Sequence, residues 1–211
     1  MESNYGIQVQ RAKDAFLQWD SRRIAERFSL KREGRWIYLP YLGRMHRINC
    51  ENGDVEEQTD GQWRPGSFGA HMAIFDALCR DTMGTLSGKW ATVNNLEGLV
   101  HPGVGEESMY RDTALAFSGK QRQLREIGEQ WGAKPFPVGD TAFILQIFPF
   151  LPMVFQFWEG DDEFPPQIRL LWDSHMLSFV RYETIWYIAG DLLGKIKDRL
   201  GKESCRPNAQ I

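Results

Sequence analysis

Within the segment Phe155 to Ser174, FQFWEGDDEFPPQIRLLWDS, stand Glu159, Asp161, Asp162 and Glu163, then Asp173 at its far end with His175 just beyond. In an extended backbone Glu159, Asp161 and Glu163 share one side, with neighbouring Cα atoms roughly 6.5 Å apart. That spacing suits an oxygen-ligated cation or a pair of carboxylates working as acid and base. It equally suits a structural purpose, in which the charges end a long β-prone stretch and keep it from pairing with other chains, as Asp140 does at the other end. Trp158 and Trp172 would supply aromatic walls. The ligand-binding candidates are therefore Trp158, Glu159, Asp161, Asp162, Glu163, Trp172, Asp173 and His175, with the last two meeting the acidic loop if the strands form a meander.

The remaining chemistry is sparse. His71 lies on the apolar side of a helical pattern and reads as a hydrogen-bonded core residue, while His46 and His101 have no partner at a telling spacing. His101-Pro102-Gly103-Val104-Gly105 precedes a helix, but Glu106 and Glu107 already use its positive dipole end and would repel a phosphate. Cys50, Cys79 and Cys205 are far apart with no CxxC, which excludes a structural zinc or iron–sulfur site. No Gly-x-Ser-x-Gly, Walker or HExxH motif occurs. No catalytic residue, metal or cofactor is assigned.

These candidates must be held by strands. Thr141 to Trp158 carries no charge over a length that nearly spans a bilayer, but Pro149 and Pro152 would break a helix, and Phe143, Leu145, Ile147 and Met153, Phe155, Phe157 alternate. Two buried strands are expected, then a third at Ile168 to Trp172. Short strands are also expected at Arg35 to Leu39, Arg44 to Cys50 and Gly88 to Val93, with a turn at Glu51-Asn52-Gly53-Asp54.

Helices surround them. Val9, Ala12, Phe16 and Trp19 mark one; Ile24, Ala25 and Phe28 mark a second, capped by Asp20 or Ser21. His71, Ile74, Phe75 and Leu78 mark a third between Phe68 and Met83. A pair follows, on Tyr110, Ala114 and Phe117 and on Leu124, Ile127, Gly128 and Trp131, the latter ended by Gly132. Ile185, Ile188, Ala189, Leu192, Leu193, Ile196 and Leu200 form the apolar face of a long C-terminal helix, with Glu183 near its start, Lys195, Lys197 and Arg199 near its end and Gly201 as its stop. The class is α+β, a mainly antiparallel sheet covered by several helices.

The chain has 211 residues, 42% of them hydrophobic and 25% charged, enough for one full core. No linker, repeat or low-complexity run divides it, so residues 1–201 read as one domain and 202–211 as a flexible tail. The net charge of -3 and the scattered basic residues argue against nucleic acid, and Lys120, Arg122 and Arg125 read as a solvated helix face. The N-terminus lacks the apolar run of a secretory signal, there is no membrane span, and a cytoplasmic location is expected. Oligomeric state is left open.

Phe157-Trp158-Glu159-Gly160-Asp161-Asp162-Glu163-Phe164-Pro165, followed by Leu171-Trp172-Asp173-Ser174 and the long helix, resembles the signature of the domain of unknown function 3786 family. Tyr41-Leu42-Gly43-Arg44 and Gly88-Lys89-Trp90 stand in the same order and roughly the same spacing as that family's more variable motifs. The resemblance extends from about Tyr41 to Leu200. Asn94 and Asn95 stand where the family commonly has a charged residue. The resemblance implies a prokaryotic cytoplasmic protein, similar to ones found mostly in anaerobes, some of which carry an iron–sulfur segment that this chain lacks. It implies no activity.

Two functions fit these observations. One is a small-ligand- or cofactor-binding accessory protein of anaerobic prokaryotic metabolism. The other is a metal- or carboxylate-dependent hydrolase using the Glu159–Glu163 loop.

Overall fold

The computed structural model describes residues 4–81, 84–100 and 109–204. Its helices are α1 (Asn4–Phe16), α2 (Ser21–Arg27), α3 (Phe68–Leu78), α4 (Arg111–Phe117), α5 (Gln121–Gln130) and α6 (Tyr182–Ser204). The strands are β1 (Lys31–Glu33), β2 (Trp36–Tyr41), β3 (Arg44–Asn49), β4 (Val55–Thr59), β5 (Gln62–Pro65), β6 (Trp90–Ala91), β7 (Lys134–Pro135), β8 (Thr141–Phe148), β9 (Leu151–Trp158) and β10 (Gln167–Asp173). They make two five-stranded antiparallel sheets, ordered β1-β2-β3-β4-β5 and β6-β10-β9-β8-β7. This is the expected α+β class, with two sheets in place of one.

The first sheet is a meander held by tight turns. Leu42 and Gly43 have φ of 49° and 70°, and Asp60 and Gly61 have 51° and 76°, the positive pair that a two-residue type I′ hairpin requires. The Asp-Gly at 60–61 was the local signal for β4 and β5, which the sequence reading did not anticipate. Ile37, Leu39, Tyr41, His46, Ile48, Val55 and Glu57 point inward from this sheet and are buried.

In the second sheet β9 is central. It is buried on both faces, which explains its nearly unbroken apolar run; its one interior amide, Gln156, donates from Nε2 to Val138 O at 2.9 Å. Thr141 to Trp158 thus forms the two buried strands expected. No helix among the described residues is long and apolar enough to cross a membrane. The strand expected over Gly88 to Val93 shrinks to Trp90–Ala91, followed by a single 3-10 turn at Val93–Asn95.

One hydrophobic core runs through both sheets and the six helices of the described residues. The joint between sheets is the β2–β3 hairpin: Leu42, fully buried, donates its N–H to Ile147 O at 3.0 Å, and the Tyr41 and Phe148 rings lie 5.2 Å apart. Asp20 caps α2, accepting from Arg22 N at 2.9 Å. Helix α6 buries every apolar residue of the predicted face, and it continues to Ser204 rather than stopping at Gly201. Residues 205–211, with Cys205, and the 101–108 segment carrying His101 and the glycine loop lie outside the described residues.

Candidate functional site

The eight predicted site residues divide between opposite ends of one strand. Trp158 pairs with Gln167, so the acidic loop caps the β9–β10 hairpin at the start of β10, whereas Asp173 ends it. Six residue steps of strand separate those ends, about 20 Å. β8, β9 and β10 do form the expected meander, but it carries Asp173 to the far end of β10 and does not return it to the loop.

At the loop end the carboxylates fasten backbone. Glu159 accepts from Ser118 Oγ and from Gly119 N at 2.8 Å, which ties the loop to the α4–α5 turn. Burial raises its pKa and these donors outweigh that, leaving it lowered. Asp161 accepts from Glu163 N at 2.9 Å and Phe164 N at 2.7 Å, a local turn that lowers its pKa. Asp162 and Glu163 are exposed. Trp158 stands 5.3 Å from the Arg169 guanidinium.

At the far end Trp172 is fully buried in the core. Asp173 accepts from Ser87 N, Gly88 N and His175 N, each at 2.9 Å. Burial works to raise its pKa, and these donors bring it down. The Gly88-Lys89-Trp90 and Leu171-Trp172-Asp173-Ser174 motifs are thereby one interlocked unit. His175 Nδ1 lies 2.9 Å from Thr85 O and Nε2 3.1 Å from Glu97 Oε2. Both ring nitrogens face acceptors, which favours the doubly protonated ring and raises its pKa, the Thr85 carbonyl contributing most. Among the described residues no three His, Cys, Asp or Glu side chains are arranged to hold a metal.

The densest buried chemistry lies elsewhere, between the first sheet and α6. Glu57, on the inward face of β4, receives Arg44 Nη1 from the β2–β3 hairpin and Lys195 Nζ from α6. His46 Nε2 stands 3.4 Å from Glu57 Oε2, at ion-pair range but short of a well-formed hydrogen bond; its Nδ1 faces Arg44 O at 3.1 Å. Lys195 Nζ is also 3.9 Å from Asp191 Oδ1, which accepts from Ser67 Oγ at 2.8 Å. Burial pushes the Glu57 pKa up, but His46, Lys195 and Arg44 together hold it far below the usual carboxylate range. The Tyr41 phenol is pushed up, by burial first and then by Asp191 and Glu57. Tyr41 Oη, His46 Nε2 and Asp191 Oδ2 are buried without a hydrogen-bond partner among the described residues.

Arg44 also reaches outward. It lines a cleft of about 930 Å3 together with Trp131, Gln130, Asp60, Lys197 and Arg199, its guanidinium 5.5 Å from the Trp131 ring centroid. Trp131 is placed by two glycines. Gly43 leaves room for it, since a Cβ there would meet Trp131 Cβ at 2.4 Å. Gly132, at φ 73°, closes α5 in a Schellman motif, with Ala133 N to Gly128 O at 2.9 Å and Gly132 N to Glu129 O at 3.0 Å.

Sequence reasoning missed this site. It took Lys195 only as a cation complementing the dipole of the last helix, and found no partner for His46 at a telling spacing. Signals existed: Asp191 and Lys195 are four apart on the apolar face of α6, and Glu57 and His46 fall on the inward positions of alternating strands.

The fold and site define an α+β protein of two antiparallel sheets with a buried charge network opening on a cleft. The chain belongs to the family described as Domain of unknown function (DUF3786), whose model matches residues 20–195. No curated protein and no solved structure matches it.

Proposed function

We propose that the protein binds a small organic anion in the cleft beside Trp131, and that it acts as a ligand- or cofactor-binding protein. The observation that carries this reading is Arg44, whose guanidinium bonds to Glu57 on the inner side and stands by the Trp131 ring on the outer. A guanidinium at the cleft wall beside an aromatic ring offers a planar fork of donors to a carboxylate or phosphate. Lys197 and Arg199 bring two more cations to the cleft, against the carboxylates of Asp60 and Asp198. With Arg44, three cations face two carboxylates, a balance that favours an anionic ligand such as a carboxylate or phosphate. The last carbonyls of α5 are already used in its Schellman motif, which weakens the negative helix end. The cleft volume falls in the range of small-molecule sites, and a flat or apolar part of the ligand would lie on Trp131.

The hydrolase reading gains less support, because the acidic loop and His175 stand at opposite ends of β10 and both nitrogens of His175 are engaged. The test is calorimetric titration with citrate, ADP and inorganic phosphate, with adenosine as the neutral control. An anion should bind, weaken with added salt, and lose affinity in Lys197→Ala/Arg199→Ala. If no anion bound, or that variant bound as well as the unaltered protein, the reading would fall.

A further inference from the structure

We infer that Arg44 is exchanged between two anions, so that a ligand entering the cleft draws it away from Glu57 while Lys195 keeps the buried carboxylate neutralised. The inference rests on the cleft reading above and adds to it a competitor built into the protein.

The geometry has three parts. Arg44 is half-buried and belongs to both places, bonding Glu57 Oε1 while it lines the cleft. Lys195 bonds the other oxygen, Oε2, and is almost wholly buried, so it stays with Glu57 when Arg44 moves. A carboxylate left buried with no cation would be costly; one left with a direct ammonium partner is far less so.

The unpartnered polar atoms supply the rest. Tyr41 Oη, His46 Nε2 and Asp191 Oδ2 are buried beside the pair without a well-formed hydrogen bond, His46 Nε2 lying 3.4 Å from Glu57 Oε2. Thr59 Oγ1, 3.4 Å from Glu57 Oε1, stands on the side that Arg44 would leave. The Thr59 hydroxyl can turn fully onto the freed oxygen without any new group being buried. Resting ion pair and ligand complex thus differ by one guanidinium shift, and Glu57 sets the affinity by competing for the same cation.

The two partners of Glu57 should then act in opposite directions. Lys195→Met leaves Glu57 dependent on Arg44 and should weaken citrate or ADP binding about fivefold or more. Glu57→Gln/Lys195→Met removes both buried charges, frees Arg44 and should tighten binding by a similar factor. In the unaltered protein, where no folding defect can intervene, saturation with citrate should shift the carbon resonance of the Glu57 carboxyl group. If both variants weakened binding or neither changed it, or if the Glu57 resonance stayed fixed, the exchange would be refuted and the cleft would stand. If neither citrate nor ADP bound the unaltered protein, both readings would fail together.

Discussion

Lys195 on α6 and Glu57 on β4 lie 138 residues apart in the chain and form a buried ion pair. Each is 7% exposed, so solvent does little to screen them. The pair therefore joins the last helix to the first sheet by charge as well as by apolar packing.

Breaking that pair on one side should be expensive. Glu57→Gln alone leaves Lys195 and Arg44 without their carboxylate and should cost about 3 to 5 kcal/mol, whereas Glu57→Gln/Lys195→Met should recover much of the loss. Urea unfolding of the three proteins measures both values. Equal loss in the single and double variants would show that the ions act only as spacers.

The same carboxylate sets an acid limit. The folded pKa of Glu57 lies below its ordinary value of 4.5, so its contribution to stability is present above about pH 4.5 and is lost as pH falls through the folded pKa. In Glu57→Gln/Lys195→Met, which lacks that carboxylate, the stability profile below pH 4.5 should be flatter. Thermal unfolding from pH 3 to 7 checks the slope difference.

His175 titrates in the opposite sense. Its folded pKa is raised above 6.5, so the latch it makes with Thr85 and Glu97 holds below that value and is lost as pH rises through the folded pKa. Glu97, lowered from 4.5 by Ser174 and His175, sets the acid side of the same window. Imidazole NMR titration should give His175 a pKa above 6.5, and Glu97→Gln should bring it down. An unshifted histidine in both proteins would contradict the contact.

The acidic loop should respond residue by residue. Glu159→Ala loses the tie to Ser118 and Gly119 and, being partly solvated, should cost about 1 kcal/mol. Glu163→Gln, exposed, should change stability by less than about 0.5 kcal/mol. Denaturant midpoints distinguish the two. A larger loss at Glu163 would mean that the loop carries a contact beyond its backbone turn.

Leu192 is fully buried in the core that unites both sheets. Leu192→Ala should cost about 2 to 5 kcal/mol, and calorimetry of the unaltered chain should give one transition. Two separated transitions would divide the chain into independent units.

The amino-acid pattern alone determined the local elements, because helix and strand periodicity, proline placement and turn chemistry act over a few residues. Asp20 caps α2, Gly132 ends α5, the uncharged run from Thr141 is two buried strands, and every apolar position of the α6 face is buried. The acidic loop was legible as a cluster, and the strand expected from Ile168 to Trp172 already implied that Asp173 lies a strand's length beyond it, because the loop must join the end of β9 to the start of β10. Tertiary structure decided the charge network. Asp191 and Lys195 share a face of α6 and His46 and Glu57 point inward from β3 and β4, but nothing local pairs the helix charges with those of the strands. Only their burial against one another makes a surface-type lysine and an ordinary strand glutamate into partners, because removal from water makes each depend on the other's charge.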